Sequence, residues 1–196
     1  MKFKFGIMQG RLSPMIKKKI QCFPEKCWKE EFPIANKLGI KFIEWTLDYK
    51  NLYKNPLLTK SGIDIILKLS KKNSIKIKSL TGDCFMQKPF WKNNEKKLIN
   101  DLKKIISSCS KIGIKYIIVP LVDNGKIENN IQKKKLINIC CNITNFLKKK
   151  KVKILFESDF EPLILKNFIK NFSRSAFGIN YDLGNSASLG YNIDEE

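Results

Sequence analysis

The stretch ILFESDF, Ile154 to Phe160, runs apolar residues directly into two acids, Glu157 and Asp159. A charge buried without a partner is expensive, so strands entering a core end more often in turn residues than in acids needing company. These oxygens are therefore wanted for something. Alternate residues of a strand share a face, which puts Leu155 and Glu157 on one side and Ile154 and Phe156 on the other.

Working outward, five more β-rich runs have the same character as Val152–Glu157: Phe3–Met8, Ile40–Trp45, Ile75–Leu80, Ile114–Pro120 and Phe177–Asp182. Longer amphipathic runs separate them. The clearest is Glu95–Ile112, where Leu98, Leu102, Ile105, Ile106, Cys109 and Ile112 make one stripe at helical spacing. Gly39 and Gly113 follow helical patterns where a left-handed residue is often required, and Pro162 suits a first helical turn. There is also an internal echo. KLGIKFIEW at 37–45 resembles KIGIKYIIV at 111–119, and NSIKIKSLTGD at 73–83 resembles KKVKILFESD at 150–159, offsets of 74 and about 76 residues. Each offset spans two βα units.

Alternating strand and helix imply a parallel sheet, either doubly wound or curved into a barrel. A nucleotide-binding doubly wound sheet carries a Gly-rich turn after its first strand, whereas GIMQGRLSP is neither Gly-x-Gly-x-x-Gly nor a P-loop. The acids fall instead at several strand ends, as in a barrel whose active site collects residues from the C-terminal ends of many strands. At 196 residues the chain suits one domain, 1–196, yet is short for a closed eight-fold barrel.

The formal charge is +20, but of 38 basic residues only Arg11 and Arg174 are arginine, the preferred fork for phosphate and base edges. Lysines cluster along the chain, as at Lys17–Lys19, Lys133–Lys135 and Lys148–Lys151. They read as a solvated surface, so neither a specific nucleic acid nor a membrane is expected as a partner. Six cysteines form no Cys-x-x-Cys pair, Cys140 and Cys141 point to different helical faces, and there is no histidine to complete a zinc site. The N-terminus is too weakly apolar for a signal peptide, and no run approaches the ~18 apolar residues of a membrane span. A reduced, cytoplasmic protein is expected.

The strand ends carry Gln9 and Arg11, then Glu44 and Asp48, Asp83, Glu157 and Asp159, and Asp182. Carboxylates gathered at one mouth repel each other unless protons or a divalent cation intervene. Such oxygen ligands suit Mg²⁺ or Mn²⁺, or Zn²⁺ or Co²⁺ if nitrogen joins them. The plainer alternative is that each acid caps a helix N-terminus. That alternative is weakest for Glu157 and Asp182, whose strands are apolar up to the acid.

GIMQGRLSP, QCFPEKCWKEEFPIANKLGIKFIEW, NPL, TGDCFMQKPF, ILFESDF and NYDLGNSASLGYN together resemble the sugar phosphate isomerase and epimerase family with the xylose-isomerase-like TIM barrel. The resemblance covers essentially all 196 residues. It implies a metal held by a Glu ending strand five, an Asp ending strand six, a His from strand seven and a Glu from strand eight. By position, Glu157 and Asp182 are the first two ligands. The resemblance further makes Glu157 a proton shuttle at the carbon beside a sugar carbonyl, and gives substrate binding to Glu44, Asp83 and Arg11. The implied partner is a small sugar or sugar phosphate.

The chain departs from that pattern after strand six, where the His and the second catalytic Glu would follow. It is therefore expected to be a barrel incomplete at its C-terminus, inactive alone, with an incomplete metal site and exposed edges that favour an oligomer or a complementing chain. Two other readings stand beside it: a metal-dependent DNA-repair endonuclease of the same superfamily, which needs several histidines, and a non-catalytic remnant.

Overall fold

Each β-rich run forms a strand, and the longer apolar-striped runs fold back over the sheet as helices. The computed structural model describes residues 5–15, 21–192, 194 and 195. The first two positions of the expected strand Phe3–Met8 and the Lys17–Lys19 cluster lie outside them. In chain order the elements are β1 (Gly6–Met8), α1 (Glu31–Lys37), β2 (Phe42–Thr46), α2 (Lys60–Asn73), β3 (Lys76–Thr81), α3 (Asp83–Gln87), α4 (Lys96–Ile112), β4 (Tyr116–Leu121), α5 (Asn130–Lys150), β5 (Lys153–Ser158), α6 (Pro162–Ile169), β6 (Phe177–Ile179) and α7 (Leu183–Leu189).

All five pairings are parallel and the strand order is β1-β2-β3-β4-β5-β6. A sequential order has no point where the winding reverses, so it is the wall of a barrel and not a doubly wound sheet. The fold is α/β and TIM-barrel-like. The sheet is not closed, and β1 and β6 are its two edges.

The core lies between the outer face of the sheet and the helices. Ile43 and Trp45, Ile77 and Leu80, Ile117 and Val119, and Ile154 and Phe156 are each no more than 5% exposed. The α4 stripe packs against them as its spacing predicts, with Leu98, Leu102, Ile105, Ile106 and Cys109 buried and Ile112 at the margin. Phe156 gathers Phe168, Phe172 and Phe177 with ring centroids 4.9–6.0 Å apart, which anchors the β6 side. Such aromatic contacts add to the burial of large rings. Cys140 is buried and its neighbour Cys141 exposed, as the helical phase requires.

The repeated junctions behave alike. Gly39 and Gly113 take φ of +75° and +87°, so a Cβ at either would be strained. The echoed segments place β2 and β4, and β3 and β5, at equivalent points of the wall. The expected strand Phe177–Asp182 is cut short: β6 stops at Ile179, leaving Asn180 and Asp182 beyond it, and Ile179 and Tyr181 are 39% and 49% exposed. As an edge strand β6 has β5 alone as a partner, and its last register pair is Phe156 with Ile179, while β5 itself runs on to Ser158 beside β4.

Candidate active site

On β5 the alternation places Ile154 and Phe156 in the core and leaves Leu155 and Glu157 half-buried on the concave face. Glu157 Oε2 accepts a hydrogen bond from Asn180 Nδ2 at 2.7 Å, just past β6. Burial pushes the Glu157 carboxyl above its ordinary value. The Asn180 bond works against this, and the charges of Asp182 and Glu44 add to it. Glu157 thus feels the charges of both Asp182 and Glu44.

Glu44 is presented from β2 opposite an irregularity in β3. Ile43 pairs with Ile77, but Trp45 pairs with Leu80, so Lys78 and Ser79 together face Glu44. The extra residue keeps Ile77 and Leu80 in the core while placing Ser79 and Thr81 against the acid. Ser79 Oγ donates to Glu44 Oε2 at 2.5 Å, and Thr81 Oγ1 donates to Oε1. A cavity of about 220 Å³ opens beside Glu44 between β1, β2 and β3.

Asp83 is 4% exposed, and Gln21 Nε2 donates to both of its oxygens at 2.9 Å. Burial raises its pKa to about 6. The Gln21 bond opposes this, and the charges of Asp48, Glu157 and Glu44 reinforce it. Asp48 accepts from Phe23 N and from Gln87 Nε2, both at 2.8 Å, and so ties two mouth loops together. Asp159 pairs with Lys126 at 3.0 Å.

The capping alternative fares opposite to expectation. Asp48, Asp83 and Asp159 make no helix-capping bond of the usual kind, whereas Asp182 is the N-cap of α7, its Oδ1 accepting from Gly184 N (2.8 Å) and Asn185 N (3.0 Å). Because β6 ends three residues earlier, the side chain turns to the helix start. Oδ2 has no partner among the described residues. Arg11 is exposed in the loop after β1 and makes no ion pair among them.

Glu31 escapes sequence reasoning, whereas Gln9 is among the strand-end residues that it names. Glu31, at the start of α1, is 1% exposed, and its Oε1 accepts from Gly10 N (2.8 Å), Leu12 N (3.2 Å) and Ser13 Oγ (2.9 Å). It moulds the loop that carries Arg11. Gln9, also 1% exposed, bonds Thr46 through both its side-chain and backbone oxygens. Nothing local marks Glu31, since KEEF reads as an ordinary surface helix start. Burial pushes the Cys84, Cys109 and Cys140 thiols up, which keeps these three protonated.

The donor set does not fit a resident metal ion by itself. Among the described residues no three His, Cys, Asp or Glu side chains are placed to hold one. Glu157 and Asp182 each have one oxygen already engaged.

No protein-family model matches the sequence, and no curated protein is significantly similar to it. Solved structures do share its fold. A xylose isomerase domain protein from Planctomyces limnophilus superposes with a TM-score of 0.69 at 12% identity, over 98% of this chain and 68% of its own. A D-psicose 3-epimerase studied with D-fructose gives 0.70 at 13% identity, over 95% and 65%. A family 2 AP endonuclease from Brucella melitensis gives 0.65 at 13% identity, over 93% and 69%. The chain thus spans about two thirds of these structures, and its fold is the xylose-isomerase-like one that sugar isomerases, epimerases and a repair endonuclease share.

Proposed function

We propose that the chain forms six strands of a sugar or sugar-phosphate isomerase or epimerase barrel, in which Glu157 transfers a proton at the carbon next to a carbonyl. One observation carries this reading. In a protein with 38 basic residues, Glu44, Asp83, Glu157 and Asp182 have no cationic partner among the described residues. Acids retained for stability would be paired; acids kept bare at one mouth suit chemistry.

Glu157 suits a base that must also hold the proton it removes. Its raised pKa brings it nearer neutrality, and the Asn180 N–H fixes one oxygen while leaving the other to reach substrate. Glu44, oriented by Ser79 and Thr81, presents remaining lone pairs to a sugar hydroxyl. Asp83 and the exposed Arg11 complete the proposed substrate contacts. A divalent cation would need ligands beyond Glu157 and Asp182. The open edges at β1 and β6 are where further strands, from this polypeptide or another, would pair.

The endonuclease reading shares the fold, but the chain has no histidine for the multi-zinc site that reading requires. Exchange of the α-proton of ketoses in D₂O tests the proposal. The 196-residue chain alone should exchange negligibly, and a form completed by further strands should exchange and lose this on Glu157→Gln. Full exchange that survives Glu157→Gln overturns the assignment.

A further inference from the structure

Parallel topology sorts charge in a way the linear sequence hides. The helices that lead into strands, α1, α2, α4, α5 and α6, end at the end of the sheet opposite the candidate site, where the next strand begins. Four of these junctions, 37–41, 71–76, 111–115 and 148–153, hold twelve lysines and no Asp or Glu. They lie side by side. Lys76 N donates to Lys41 O at 2.9 Å, Lys115 N to Lys78 O at 2.9 Å, Lys153 N to Lys115 O at 2.8 Å, and Ser110 Oγ to Lys150 O at 2.8 Å. Ten of the twelve side chains are exposed, and none joins an ion pair among the described residues.

Helix dipoles favour a cation in each last turn, worth roughly 0.3–1 kcal/mol. They do not account for lysines that open strands, or for the unbroken run Lys148–Lys151. Like charges that come within a Debye length, about 8 Å at physiological salt, repel one another, and adjacent junctions crowd lysines onto one end of the sheet. An anionic partner relieves that repulsion.

We propose that this basal face docks the phosphate backbone of nucleic acid without sequence preference, leaving the carboxylate mouth at the other end free. Lysine supplies point charges to phosphates, and the only arginine at this end is Arg174 in the α6–β6 junction, beside Lys153, too little to read base edges. A lipid surface suits the face less well, because amphipathic elements that bind bilayers insert apolar side chains beside their lysines. At junctions 71–76, 111–115 and 148–153 the apolar residues Ile75, Ile114 and Val152 are no more than 2% exposed. The inference does not depend on the proposed enzymatic activity.

Fluorescence anisotropy with a labelled 20-base-pair duplex, on the full chain at 50–200 mM salt, tests it. Two variants lose five charges each: K71Q/K72Q/K148Q/K149Q/K151Q at the base, and K26Q/K50Q/K60Q/K96Q/K134Q away from it. The basal variant should bind at least about tenfold more weakly at 50 mM salt, with a salt slope shallower by several units, since each phosphate contact contributes about 0.9. The control should stay within about threefold, unrelated duplexes should bind alike, and Glu157→Gln should bind as wild type. Equal weakening of both variants would reduce the effect to bulk charge and overturn the proposal. So would loss of binding in Glu157→Gln, absence of wild-type binding at 50 mM salt, or capture by phosphatidylserine vesicles without duplex binding.

Discussion

Replacing Asp83 with Asn should stabilise the protein at neutral pH and not in mild acid. The unfolded carboxyl titrates near its ordinary 3.8, whereas burial raises the folded one to about 6. The folded state therefore holds this proton more tightly. Its contribution to stability is greatest below about pH 4, declines as pH rises through 6, and levels off above. A gap of about two pKa units, at about 1.4 kcal/mol each, amounts to about 3 kcal/mol of destabilisation at pH 7.5. Asn keeps an acceptor for Gln21 Nε2 but loses one of two charge-assisted bonds, worth about 1–2 kcal/mol. The net gain is therefore about 1–2 kcal/mol at pH 7.5, turning to a small loss near pH 4.5. Urea unfolding followed by circular dichroism at both pH values measures it, and the wild-type minus variant difference isolates Asp83 from Glu157 and Glu31, whose pKa values are also raised. A variant less stable than wild type by the same amount at both pH values would refute the reasoning.

Asn180→Ala removes the bond that holds Glu157 down, so the Glu157 pKa should climb further, read by NMR titration of ¹³C-labelled glutamate carboxyls; an unchanged titration would remove Asn180 from the site. Asp182→Ala should cost about 1 kcal/mol in urea unfolding through loss of the α7 cap, while Asp182→Asn costs less than half of that. Millimolar Mn²⁺ should leave the melting temperature of this chain unchanged, because two carboxylates hold the ion too weakly to bias folding; a clear rise would reveal ligands that the carboxylate geometry does not supply.

The regular parts of the fold were legible because local pattern and tertiary packing agree. The α4 stripe from Leu98 to Cys109 is the helix's buried face, and the glycines at 39 and 113 are where the chain turns left-handed. Glu157 was legible for the same reason, since strand alternation fixes its face once Ile154 and Phe156 are in the core. What failed is what pairing and burial decide from far away. NYD alternates like a strand, yet β6 leaves its one neighbour at Ile179 while β5 runs on to Ser158, and Asp182 becomes a cap. The register slip that sets Ser79 against Glu44 needs β2 and β3 side by side before it exists. Glu31 looks like a surface acid until the β1 loop folds over it, 18 to 21 residues away in sequence.

The two ends of the barrel wall carry opposite electrostatic loads. At the strand C-termini, burial raises the pKa values of Asp83 and Glu157, and the charge of Glu44 adds to both. Lysines do reach that end, but Lys88, Lys92 and Lys126 pair with Glu95, Glu128 and Asp159 in the surrounding loops. The inward carboxylates instead receive neutral donors: Ser79 and Thr81 hydroxyls, the Asn180 amide and the Gln21 amide. Neutral donors orient an acid without fixing its proton, whereas a lysine would lock it in the ionised form. A carboxylate that must take up and release a proton needs the first arrangement. If the proposed proton transfer and polyanion docking hold, charge segregation along the strands would serve both, keeping cations away from acids that must titrate and placing them where a separate polyanion could be held.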